Sequence, residues 1–109
     1  MTLILAARTL GAFTVDIRAF QRQIELLYGE RDRPRGIDRS FVWFTEEVGE
    51  LAKEIRREPR REDLLRLELS DVLAWLVTLA SQLGIDMAEA ADRYAQGCPK
   101  CGATPCACP

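Results

Sequence analysis

Four carboxylates in two short motifs carry the chemistry of this sequence: Glu47 and Glu50 in "EEVGE", and Glu68 and Asp71 in "ELSD". The i, i+3 spacing places both acids of a motif on one helix face. Each motif belongs to a longer line, Trp43, Glu47, Glu50 in the first segment and Leu64, Glu68, Asp71, Trp75 in the second. An antiparallel hairpin folded about Pro59 brings together positions equidistant from it. Glu47 then faces Asp71, Glu50 faces Glu68, and Trp43 faces Trp75.

Such a cluster needs a positive partner. Two like charges about 4 Å apart cost on the order of 4 kcal/mol at an effective dielectric near 20, and burial adds to that cost. Glu47, Glu68 and Asp71 have no Lys or Arg three or four residues away, whereas Glu50 has Lys53. A divalent cation is the simplest remaining partner. With no histidine in the chain, an all-oxygen site suits hard Mg²⁺ or Mn²⁺ better than zinc or a carboxylate–histidine di-iron centre. The alternative is a solvated acidic face, but these acids adjoin the apolar stripes and do not oppose them. Glu46 lies farther round the helix, where it could accept a proton; Glu54 extends the acidic line toward the turn.

Two amphipathic helices must position these groups. At about 100° per residue, Phe41, Phe44, Val48, Leu51 and Ile55 form one apolar stripe, and Leu65, Leu69, Val72, Leu76, Leu79 and Leu83 another. The turn between them, "RREPRRE", reads as solvated. Upstream, Ile17, Phe20, Ile24 and Leu27 predict a helix ending at Gly29, its stripe serving as core or subunit interface. A basic loop, Gly29 to Arg39, follows. Its Arg31, Arg33, Arg35 and Arg39 could hold phosphate oxygens or could be surface charge tied to Glu30, Asp32 and Asp38. Gly84 stops the second acidic helix, and "DMAE" opens a short helix through Tyr94 with a capping box.

The expectation is therefore an all-α antiparallel bundle of about four helices. One hairpin and one further helix leave apolar faces uncovered, which favours a dimer or larger homo-oligomer. A formal net charge of −2 gives no general affinity for polymeric nucleic acid or acidic membranes. The apolar run Leu3 to Ala7 is too short to span a bilayer and lacks the basic flank of a secretory signal, so the reading is a cytoplasmic protein. Three regions are expected: an N-terminal extension over 1–13, the helical domain over 14–96, and a cysteine-rich tail over 97–109.

The tail, "CPKCGATPCACP", packs Cys98, Cys101, Cys106 and Cys108 into eleven residues. This spacing suits tetrahedral Zn²⁺; a redox or disulfide role and an unliganded tail are the other readings.

"EEVGE", seventeen residues, then "ELSD" resembles the E-E-x-x-E…E-x-x-D signature of MazG-like all-α nucleoside triphosphate pyrophosphohydrolases, over about Ile17 to Tyr94. The tail is similar to that of a subset of these proteins. The resemblance implies a homodimer or homotetramer, Mg²⁺ on Glu47, Glu50, Glu68 and Asp71, and hydrolysis of a (d)NTP to (d)NMP and pyrophosphate. It also implies phosphate contacts after the last motif, for which Arg93 is the nearest candidate; Arg35, Arg39 and Lys53 are separate candidates for substrate binding. A carboxylate not saturated by metal, Glu46 or Glu50, would be the base. Trp43 and Trp75 are candidates for stacking on a nucleobase or for core packing. The competing function is a non-catalytic helical module that binds a nucleotide or protein, with the zinc-stabilised tail as contact surface.

Overall fold

The computed structural model describes residues 15–109; the expected N-terminal extension lies outside them. Helix α1 spans Ile17–Asp32, α2 Ile37–Arg56, α3 Glu62–Gln82 and α4 Met87–Ala91. Three-residue 3-10 turns follow α1 (Arg33–Arg35) and α4 (Asp92–Tyr94), so the expected last helix divides in two. Among the described residues there is no strand, and the fold is all-α.

Local chemistry accounts for most boundaries. Asp16 caps α1 by accepting from the Ala19 N–H at 2.7 Å, and Asp86 caps α4 by accepting from the Ala88 N–H at 2.9 Å, as "DMAE" predicts. At the end of α3, Gly84 takes φ +73° and the Ile85 N–H reaches back to the Ala80 carbonyl at 2.8 Å. That left-handed residue and six-to-one bond form a Schellman stop.

Gly29 does not end α1. Its carbonyl accepts from the Arg33 N–H, and the helix runs on to Asp32. A mid-helix glycine costs about 1 kcal/mol relative to alanine, which weakens a helix without breaking it. The chain turns at Gly36, where φ is +84°, a backbone state that glycine adopts without steric penalty. Arg31 therefore belongs to the last turn of α1, and not to a loop.

Helices α2 and α3 pair as an antiparallel hairpin, and α1 lies against α3. Polar ties fix α1 at both ends. Gln21 donates to the Ile85 carbonyl at 2.9 Å and accepts from the Met87 N–H at 2.9 Å; at the other end Gln82 donates to the Asp32 carbonyl at 3.2 Å. The core of the single chain is small. Ile24, Val77, Leu79 and Ala80 are the buried apolar residues among those described.

The turn differs from expectation. Glu54 is buried, and Arg61 approaches both its oxygens at 2.9 and 3.1 Å while Arg57 reaches one at 3.3 Å. Arg60 donates to the Ile55 carbonyl at 2.8 Å, closing the end of α2. These arginines clamp the hairpin; they are not simply solvated charge.

Candidate active site

The hairpin register brings the acidic motifs together. One carboxylate oxygen from each of Glu47, Glu68 and Asp71 lies within 4.8 Å of the other two. At one end of this trio the indoles of Trp43 and Trp75 stack with centroids 6.4 Å apart and an interplanar angle of 12°. Trp43 meets Trp75 and Glu47 meets Asp71 as the spacing predicts, but Glu50, expected to join as the fourth carboxylate, is not drawn into the cluster.

Helix packing explains why polar groups meet here. Ser40 and Glu54 are buried and Glu47, Glu68 and Trp75 partly buried, alongside the stripe residues Phe44, Leu51, Leu65 and Val72, which are also partly buried. Phe41, Val48 and Ile55 remain 41–53% exposed, and Leu69, Leu76 and Leu83 remain 38–55% exposed.

The electrostatics register the crowding. Partial burial pushes the Glu47 carboxyl above its ordinary value, and Asp71, Glu68, Glu50 and Glu46 push it further in the same direction. Glu68 is raised by the same causes, burial first, then Asp71, Glu50 and Glu54, with Lys53 opposing. Among the described residues no Lys or Arg forms an ion pair with any of the three; Lys53 pairs with Glu50 at 3.8 Å.

This donor set fits a hard divalent cation. Around an octahedral Mg²⁺ adjacent oxygens stand about 3 Å apart and opposed ones about 4.2 Å, so the trio, within 4.8 Å, would close in slightly to share one ion. Glu50 is outside the trio but close enough to raise Glu47 and Glu68. Glu46 is exposed beside Glu47.

The other expected residues divide into two groups. Arg35 joins the site: its guanidinium lies 5.2 Å from the Trp75 ring centroid, and it pairs with buried Asp32 at 3.0 Å. Arg39 is exposed on the first turn of α2, Lys53 is taken up by Glu50, and Arg93 sits over the Tyr94 ring at 5.2 Å. A cleft of about 480 Å³ between α1 and α3 opens beside Asp71 and Trp75. Its wall includes Phe20, Tyr28 and Arg31, with the Arg31 guanidinium over the Tyr28 ring at 4.9 Å. Tyr28 is a contributor that the sequence reading missed; four residues after Ile24, it continues the face of the apolar stripe. Cys98, Cys101, Cys106 and Cys108 converge separately, with their sulfurs within 4.8 Å of one another.

The MazG nucleotide pyrophosphohydrolase domain model matches residues 37–100, covering both acidic motifs, the whole of α2, α3 and α4, and the first of the four cysteines. This chain is a member of that family. No curated protein matches it. As a MazG domain, it is of a family that hydrolyses nucleotides, and the acidic helices on which its site is built are those the family model spans. No helix among the described residues is long and apolar enough to cross a membrane.

Proposed function

We propose that this chain hydrolyses a nucleoside or deoxynucleoside triphosphate between the α and β phosphates, giving the monophosphate and pyrophosphate. The observation that carries the reading is the trio Glu47, Glu68 and Asp71, drawn together with no Lys or Arg among the described residues paired with them. Those three, with Glu50 adjacent, would hold Mg²⁺ or Mn²⁺. Bound there, the ion supplies positive charge against the triphosphate and acidifies water.

The chain's own residues do the rest. The cleft between α1 and α3 takes the nucleotide, with the base against Trp43 and Trp75. Arg35 and Arg31 lie on that side to meet phosphate oxygens. Glu50 or Glu46 accepts the proton of the attacking water as the oxygen bonds to the α phosphorus, and pyrophosphate leaves. Glu50 is the better placed of the two, because it is partly buried beside the trio whereas Glu46 is exposed.

A second copy of the chain covers the exposed stripes. Burying a large aliphatic side chain contributes about 1.5–3 kcal/mol, and one chain buries few of them. The apolar cleft lined by Ile37, Phe41, Leu76, Leu79, Leu83 and Met87, about 630 Å³, continues the stripes of α2 and α3. A homodimer through this face completes the core.

The test is product analysis. Canonical and modified NTPs and dNTPs are incubated with the full chain and Mg²⁺, and monophosphate and pyrophosphate are expected from at least one. Their absence across the whole panel, from protein shown to be folded, would refute the activity.

A further inference from the structure

We propose that the C-terminal segment is a closed zinc knuckle in which Cys98, Cys101, Cys106 and Cys108 hold one structural Zn²⁺. The inference rests on a different part of the chain from the hydrolytic site and stands or falls independently of it.

Three observations converge. The first is the cage itself. All four sulfurs lie within 4.8 Å of one another, and the Cys98 and Cys108 sulfurs are 3.7 Å apart. A regular tetrahedron with that edge has its centre about 2.3 Å from each corner, the Zn–S bond length. All four cysteines are free, and their four-way convergence is the arrangement of a shared ligand.

The second is the backbone around the sulfurs. Lys100 N–H points at the Cys98 sulfur at 3.4 Å, Ala107 N–H at the Cys101 sulfur at 3.3 Å, and Cys108 N–H at the Cys106 sulfur at 3.3 Å. Such donors favour sulfur carrying negative charge. The first half is a tight loop: the Gly102 N–H reaches the Cys98 carbonyl at 2.7 Å and the Cys98 N–H reaches the Ala103 carbonyl at 3.0 Å. Gly97, at φ +115°, permits it, since a Cβ there would stand 2.7 Å from the Gly102 carbonyl oxygen.

The third is the lack of any other ordering force. Residues 99–102 and 104–109 are exposed, and the segment has no helix. A fixed fold with no apolar core needs a crosslink or a metal to hold it. Four soft thiolates without histidine select a thiophilic ion, and four protein ligands leave no open coordination position. That makes the site structural and the ion Zn²⁺. The hard, all-oxygen trio on the helices belongs to the opposite class of ion.

Two measurements test this on the full chain. Metal analysis of protein incubated with equimolar Zn²⁺ and desalted should find one zinc per chain, kept by Glu47→Gln and lost by the double variant Cys98→Ser, Cys101→Ser. X-ray absorption at the zinc edge needs no variant, and should show four sulfurs at about 2.3 Å. Zinc retained by the double serine variant, a shell containing oxygen or nitrogen, iron in place of zinc, or disulfide-linked cysteines without metal would each overturn the proposal.

Discussion

Two glutamates on one face of α2, seven residues apart, meet opposite fates. Glu54 is 7% exposed. Burial alone would raise its carboxyl, but hydrogen bonds from Arg61 and Arg57 outweigh that and hold it below the ordinary value. Glu47 is half-buried among acids, and burial and repulsion together push it up. The chain supplies its own cations at the turn, and at the trio the described residues supply none. Near the turn the acid closes the hairpin; farther along, the hairpin brings together like charges that an outside cation can join. The clamp pays for the register that the trio needs.

The largest effect that would sharpen this contrast is on turnover. Asp71→Asn removes one oxygen donor and one charge from the trio. Catalysis should fall on the order of 10³-fold, reflecting the several kcal/mol of transition-state charge stabilisation a bound divalent ion contributes. Steady-state kinetics with Mg²⁺ measure it, and near-full activity would remove Asp71 from the site.

A smaller effect is expected at the indoles. Trp75 is already engaged by Trp43 and Arg35, while Trp43 is 48% exposed and is the freer surface for a base. Trp43→Ala should raise KM on the order of tenfold with little change in kcat, consistent with stacking worth about 1–3 kcal/mol. Unchanged KM would make the pair a packing element.

At the clamp the effect is on stability. Arg61→Ala should lower the melting temperature by several degrees at neutral pH. Glu54 has a folded value below its unfolded one, so its contribution is present above the unfolded value and lost as pH falls through the folded one. The gap between variant and parent should therefore narrow in acid. A constant gap would mean that Arg61 acts by packing alone.

The smallest effect has the opposite sign. In metal-free protein, Glu47→Gln should melt slightly higher than the parent at neutral pH. A raised carboxyl stabilises the fold below its unfolded value, ordinarily 4.5, and that contribution is lost as pH rises through the folded value. The advantage of the variant should thus vanish on acidification below 4.5. A variant less stable than the parent at neutral pH would show that the chain does neutralise Glu47.

The hairpin register was legible in the sequence because it rests on two periodicities and one turn. Trp43 against Trp75 and Glu47 against Asp71 follow from helical spacing folded about Pro59, and Gly84 and Asp86 act locally through backbone geometry. What was not legible depended on packing across helices. The turn with Arg57 and Arg61 looked like solvated charge and the place of Glu54 stayed open, because sequence does not say which carboxylate loses its water. Gly29 looked like a stop, because helix propensity alone does not show where the ladder continues. The cleft wall supplied by Tyr28 and Arg31 depends on how α1 lies across α3, which no spacing within one helix encodes.

Melting of the zinc-loaded parent and of Glu47→Gln with rising Mg²⁺ tests most directly whether the trio awaits an external cation. The parent should gain stability with Mg²⁺, by about 2.7 kcal/mol at a hundred times its Kd, and the variant should gain far less. Equal gains in both proteins, or none in either, would contradict the account.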